Sequence, residues 1–526
     1  MNVGVGSDQL ALGTPALLVL GVYLLLMLAL GFLGRIRRQN DSLRDFYLAG
    51  EGFGFAVLFL TLFATQYSGN TLLGFAGRSY QQGLSYVVSV TFMIAVVGVL
   101  IVYAPRLYRL ARRYQYITPT DFVFHRFGSH QLRLGAVVLL CWGLANYVLE
   151  QLVAMGHAVE AISGGRLSFM QGVLLLALVM LIYESLGGMR SVAWTDTVQG
   201  GLLLAGCAVI LFALVRMDGG LVAATERIAE VEAFKLERPD GAGLRLWMSQ
   251  LVLLGIGVAI YPHAIQRVFS ARRLGVLRAS LAVMAFMPLL TTLLAFLLGY
   301  VGSSRFPGLD RLESDRITLL VLADLAQRSP WTYWLVILVL CAVVAAIMST
   351  ADSALLSIAS MFTRDVYQPY LQPRLGLRTT GRHLLAVGKI VSWSLMAVLI
   401  LLAWVSLRTE SSIWLLIRLK LEFMVQLAPC LLLGLYWRRL HGRAVFWGMV
   451  AGSGFTLAVW LGVMAGLWQS RSPFEVSAGV WGLLLNALVA VTWSWLRPRE
   501  ASVERRADAS SLEGVADGAL PGSRTR

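Results

Sequence analysis

Long apolar runs, broken by short arginine-rich connections, recur along this chain and constrain its fold more than any other feature. The run TPALLVLGVYLLLMLALGFLG, residues 14–34, has no charged residue and meets the length of about 20 predominantly apolar residues that a bilayer-crossing helix needs. By that rule roughly thirteen spans are expected, at about 12–34, 53–77, 84–108, 132–161, 167–186, 192–216, 247–269, 277–302, 331–362, 384–406, 411–437, 443–468 and 475–496. With 57% hydrophobic and 14% charged residues in 526, and a mean hydropathy of +0.71, the composition describes an all-α polytopic membrane protein. Little chain is left for a separate soluble domain.

The net charge of +15 would suit a nucleic-acid binder, but its distribution points elsewhere. Basic residues gather in alternate connections, GRIRRQN, RLYRLARRYQ, QRVFSARRLGVLR, QPRLGLRTTGRH, WRRLHGR and the tail after WLRPR, as the positive-inside rule requires of cytoplasmic segments. The N-terminus is therefore expected outside and the C-terminus in the cytoplasm, in the plasma (inner) membrane. No Lys or Arg precedes Arg35, so the first span lacks the basic start of a cleavable signal peptide and reads as a retained helix. Residues 217–246 and 303–330 read as extracellular loops and 498–526 as a disordered cytoplasmic tail. Cys141, Cys207, Cys341 and Cys430 fall inside spans as packing residues. The six histidines, His125, His130, His157, His263, His383 and His441, lack the local spacing of a zinc or haem site.

Function is then expected among the helices, where intramembrane polar groups are costly and usually face an internal pathway. In AAIMSTADSALL, residues 345–356, Ser349, Asp352 and Ser353 share a helical face, with Thr350 beside them. Such an oxygen cluster suits a small hard cation; alternatively, Ser349 and Thr350 bond back to carbonyls one turn earlier. The stretch LFATQYSGNTLLGFAGRSYQQG, residues 62–83, carries Thr65, Gln66, Ser68, Gly69 and Asn70 midway. That pattern suits a broken helix whose freed carbonyls hold an ion near the midplane, or small-residue helix packing. Gly255, Gly257 and Pro262 mark the seventh span as a second interrupted helix. If spans two and seven open equivalent five-helix units, the units have opposite orientations, and the site lies where the broken helices meet.

Four stretches now carry a resemblance: DFYLAGEGFGFAVLFLTLFATQYSGNTLLGFAG, YESLGGMRSVAWTDTVQGG, YPHAIQRVFSARR and AAIMSTADSALLSIASMFTRDVY. In that order the chain resembles the sodium:solute symporter family over nearly its whole hydrophobic length. The resemblance implies a LeuT-like 5+5 inverted repeat with one extra N-terminal and two extra C-terminal helices. The corresponding divisions are 1–52 (extracellular N-terminus, first helix and cytoplasmic loop), 53–216 (first repeat), 217–246 (extracellular loop), 247–437 (second repeat), 438–497 (two C-terminal helices) and the tail 498–526.

Carried over by motif, the sodium site would use the carbonyls of Ala64, Tyr67 and Ala346 and the hydroxyls of Ser349 and Thr350. Some relatives have a further cation position one turn along, completed by the aspartate of WTD, here Asp196, with Ser349, Asp352 and Ser353 as partners. Asp352 stands where those relatives place a hydroxyl, which leaves it as a second-site ligand, a proton-titrating group or a structural acid paired with arginine. Gln66, Ser68, Gly69, Tyr261 and Gln426 are the substrate candidates. Gln66 replaces an aspartate of proline carriers, which disfavours proline itself. Of the remaining intramembrane charges, Glu150, Arg418, Lys420 and Glu422, the second and fourth are spaced for an i, i+4 ion pair. Lys420 is expected to snorkel outward, the sharper reading being attraction of a carboxylated solute by Arg418 or Lys420. The whole implies a non-enzymatic, Na⁺-coupled symporter, functional as a monomer, that imports an amino acid, carboxylate or vitamin-like solute by alternating access without other cofactor. A proton-coupled carrier, a solute sensor and a channel remain as alternatives.

Overall fold

The computed structural model describes residues 13–37, 42–215, 220–311, 313–376, 380–409 and 413–497. The start of the expected extracellular N-terminus and the expected cytoplasmic tail lie outside the described residues. In chain order the helices are α1 (Gly13–Ile36), α2 (Leu43–Leu48), α3 (Phe55–Gln66), α4 (Phe75–Gln82), α5 (Val88–Tyr114), α6 (Pro119–Phe127), α7 (His130–Ser163) and α8 (Phe169–Gly187). There follow α9 (Met189–Val215), α10 (Gly220–Val231), α11 (Gly241–Gly257), α12 (Pro262–Ser270), α13 (Leu274–Met284), α14 (Met287–Arg305) and α15 (Ile317–Ala326). The series ends with α16 (Pro330–Met361), α17 (Gln372–Arg374), α18 (Gly381–Thr409), α19 (Ile413–Met424), α20 (Gly434–Tyr436), α21 (Gly442–Met464) and α22 (Ala478–Leu496).

Local chemistry sets many of the boundaries. Ser329 caps α16 in a reciprocal capping box with Thr332, and Pro330 occupies the first turn, where its missing N–H costs nothing. Thr118 with Asp121 and Ser168 with Gln171 do the same for α6 and α8. Gly188 turns the chain from α8 into α9 at φ +57°, where a Cβ would lie 2.5 Å from the Phe46 carbonyl oxygen; a side chain has no room there.

Among the described residues, ten helical segments are long and apolar enough to cross a membrane, and α11 with α12, bent by 46° at their break, make an eleventh. The expected count of thirteen exceeds this because two apolar runs are not single helices. The run 53–77 is cut after α3, and its second half continues through α4 towards α5. The run 411–437 divides into α19, a 3-10 turn, the π-turn Pro429–Leu433 and α20. The two expected loops also contain helices. Ala224 and Ile228 bury one face of α10, and nine of the ten residues of α15 are buried. At about 1.5 Å per residue, α15 is too short to span but apolar enough to be covered.

Burial divides centre from rim. On α1, Leu18, Val22 and Leu25 are 65–67% exposed on one face, a stripe suited to acyl chains. On α16, every residue from Val339 to Met361 is buried. The motif-bearing helix is thus the axis of the bundle, and its polar side chains can only meet other helices. The two interrupted helices are tied beside it: Phe53, before α3, forms a parallel bridge with Ala271, after α12.

Candidate functional site

The chain leaves helical geometry at Tyr67, where φ is −105° and ψ is 94°. The Tyr67 N–H still bonds the Phe63 carbonyl at 3.0 Å, but the helical ladder stops there. A carbonyl in the last turn of a helix needs a partner from elsewhere. Ser349 supplies one from α16, its Oγ donating to the Ala64 oxygen at 2.9 Å and lying 3.3 Å from the Ala346 oxygen. Thr350 Oγ1 donates to the same Ala346 oxygen at 3.0 Å. Both hydroxyls thus bond back along their own helix, as the alternative reading expects, and Ser349 also crosses to the break. Four of the five expected sodium ligands form one hydrogen-bonded cluster, and Tyr67 forms the break itself. The cluster is buried and built from neutral oxygens, and each hydroxyl retains lone pairs for a hard monovalent cation.

One turn further along α16 the arrangement differs from expectation. The Arg267 guanidinium donates to Asp196 Oδ2 at 2.7 Å, Ser353 Oγ at 2.5 Å, Thr61 Oγ1 at 2.8 Å and the His263 carbonyl at 3.1 Å. Thr61 also donates to Asp196. Arg267, Asp196 and Ser353 are 0% exposed. Thus the structure joins Asp196 and Ser353 through an arginine that the basic motif QRVFSARR had placed in a cytoplasmic connection. Its signal was legible: Arg267 falls inside the expected span 247–269, where no acid lies three or four residues away. Asp352 does not take that arginine as its hydrogen-bond partner. It accepts from Tyr183 Oη at 2.5 Å and from Ser353 Oγ at 3.1 Å.

A cavity of about 30 Å³ opens beside the break. The substrate candidates Gln66, Ser68 and Tyr261 line it, with Thr71, Tyr147 and Lys420. Gly69 does not line it; a Cβ there would sit 2.4 Å from Ile347 Cγ1, so this glycine lets the break close onto α16. Gln426 is turned away, because its Nε2 bonds the carbonyls of Glu422 at 3.1 Å and Gly479 at 2.9 Å. It ties the chain after α19 to the start of α22 instead.

Lys420 corrects the snorkelling expectation. It is 1% exposed, its Nζ lies 2.7 Å from Glu150 Oε2, and it stands 3.5 Å from the Tyr147 ring centroid and 5.7 Å from that of Tyr261. Arg418 does pair with Glu422, at 2.9 Å, and Trp460 Nε1 donates to the same carboxylate at 2.6 Å.

Comparison with known proteins agrees with this geometry. The profile described as "Sodium:solute symporter family" matches residues 46–452. The osmoregulated proline transporter of Bacillus subtilis is 25% identical over 492 residues, covering 93% of this chain and 96% of the relative. The sodium/pantothenate symporter of Escherichia coli is 27% identical over 426 residues, covering 80% and 84%. A solved structure of a Na⁺-coupled sialic acid symporter, in a substrate-bound outward-open state, superposes with a TM-score of 0.74 at 19% identity, covering 93% of this chain and 99% of that one. With a broken α3, a bent α11–α12 pair and a family match over most of its length, this chain belongs to the sodium:solute symporter family and is a multi-pass membrane transporter rather than an enzyme.

Proposed function

We propose that the protein is a plasma-membrane symporter that uses the Na⁺ gradient to import a small organic solute, an amino acid, carboxylate or vitamin-like compound, by alternating access. The observation that carries the reading is the contact between Ser349 Oγ and the Ala64 carbonyl at the end of α3. It joins the axial helix to the interrupted one through oxygens alone. In this reading Na⁺ takes the hydroxyls of Ser349 and Thr350 and the carbonyls of Ala64, Tyr67 and Ala346. The ion then fixes the relation of α3 to α16 and thereby shapes the adjacent cavity. Coupling is the difference in affinity between two arrangements of the bundle, so ion and solute each raise the affinity for the other. The protein works as a monomer with its N-terminus outside. Residues 53–216 and 247–437 act as two inverted five-helix units, within a total of thirteen spans when both divided runs are counted as crossings.

Thermal unfolding in detergent tests this without a known solute. Replacing K⁺ by Na⁺ at constant ionic strength is expected to raise the midpoint of the wild type, because a ligand of the folded state stabilises it by linkage. Ser349→Ala with Thr350→Ala is expected to abolish that shift. A wild type indifferent to Na⁺ ends the sodium reading and transfers attention to proton coupling at Asp352.

A further inference from the structure

We infer that Lys420 is the solute's anchor and that the transported solute is an amphipathic monoanion, a compound with one carboxylate on a partly apolar body. The inference rests on the Na⁺-symport reading above and narrows its substrate.

Lys420 is the one charged side chain among the residues lining the cavity beside the α3 break. Arg267, as deeply buried, is no rival. Four groups, Asp196, Thr61, Ser353 and the His263 carbonyl, already take its donors, and it does not line the cavity. An ammonium has three donors and no acceptor. Glu150 takes one, and the faces of Tyr147 and Tyr261 hold the charge beside aromatic surface, a weaker and less directional contact than a hydrogen bond. A carboxylate entering the cavity replaces the ring contact with charge-assisted hydrogen bonds. A lysine on a flexible stem can swing to meet it.

Charge balance selects the class. At the cavity Lys420 and Glu150 cancel; Arg267 with Asp196, and Asp352 held by Tyr183 and Ser353, do not line it. The neutral-oxygen cluster at Ser349 and Thr350 then adds one positive charge when it takes Na⁺. Net charge in a site shielded from water is expensive. A monoanion returns the loaded site to neutrality. A sugar or a zwitterion leaves it at plus one, and a dianion at minus one. The same balance couples the two cargoes, because each lowers the electrostatic cost of binding the other. Around the ammonium the walls are divided. Phe75, Met93, Leu254 and Val258 offer apolar surface, whereas Gln66, Ser68 and Thr71 at the break offer hydrogen bonds. That division suits an apolar body carrying hydroxyl or amide groups.

The test uses the full-length protein in detergent and three matched pairs of probes, followed by thermal shift in NaCl and in KCl. The pairs are pantothenate with panthenol, sialic acid with its methyl ester, and N-acetyl-L-proline with L-proline. At least one monoanion is expected to bind at least tenfold more tightly than its neutral or zwitterionic partner, in Na⁺ only. Lys420→Gln with Glu150→Gln, which leaves no unpaired charge, is expected to lose that preference and weaken the monoanion at least tenfold. The inference is overturned if no monoanion shifts the wild type, if a neutral or zwitterionic partner binds as tightly, or if the double variant keeps the preference. Should the double variant not fold, the wild-type pairs still decide. A Na⁺ shift without any monoanion response overturns this inference alone, whereas absence of the Na⁺ shift overturns the symport reading beneath it.

Discussion

Two buried ion pairs of the same composition, one base and one acid, do different work in this bundle. Arg267 and Asp196 are locked among hydroxyls and a carbonyl contributed by α3, α12 and α16. Lys420 and Glu150 share one hydrogen bond at 2.7 Å and border a cavity. A planar guanidinium with five fixed donors suits permanent attachment to several helices, whereas an ammonium on a flexible stem suits a group that changes partners. The first pair is architecture, and the second is available for recognition. Burial alone does not distinguish them; the partners of the base do, four hydrogen bonds for Arg267 against one hydrogen bond and two aromatic rings for Lys420.

The largest effect that would test this contrast is loss of one member of the locked pair. Asp196→Ala leaves a fully buried guanidinium without its carboxylate and is expected to cost about 3–5 kcal/mol, seen as loss of folded, monodisperse protein or a large fall in the unfolding midpoint. Comparable stability in that variant would break the distinction. Next is the α3 break, where Gly69→Ala forces a methyl group against Ile347 and is expected to cost about 1–3 kcal/mol by overpacking. Its Na⁺-induced midpoint shift should shrink as α3 is pushed away from α16.

The cavity pair should be far more tolerant. Replacing both charges, Lys420→Gln with Glu150→Gln, is expected to change stability by less than about 1 kcal/mol, because neither partner is left as an unpaired buried ion. Chemical denaturation would check this, and a cost near that of Asp196→Ala would mean that the second pair is architectural too. Smallest of all, Arg328→Ala is expected to cost no more than about 1 kcal/mol in the same measurement, because it removes an i, i+4 pair with Asp324 whose side chains are 31% and 36% exposed.

How far the sequence spoke for itself varies with the range of the interaction. The interruption at Tyr67 was legible because Gln66, Ser68 and Gly69 gain little from a continuous apolar helix. The Arg418–Glu422 pair was legible because four residues separate its members. Gln426, a substrate candidate, proved to face α22, since one polar residue on an apolar helix carries no direction of its own. The inward pairing of Lys420 was not legible, because its nearest helical neighbours, Leu416, Ile417, Phe423 and Met424, offer no acid.

The chain alone determined that it spans a membrane, which helices are interrupted, and that α16 carries hydroxyls and a carboxylate close together. Those properties follow from apolar run lengths, glycine and proline positions and helical periodicity, all read within about twenty residues. The tertiary structure alone decided that Arg267 binds Asp196, 71 residues away, that Lys420 reaches Glu150, 270 residues away, and which of these bases faces a cavity. Those pairings are set by how the helices are laid side by side, and apolar faces that lipid and protein satisfy almost equally well leave that choice to packing between distant segments.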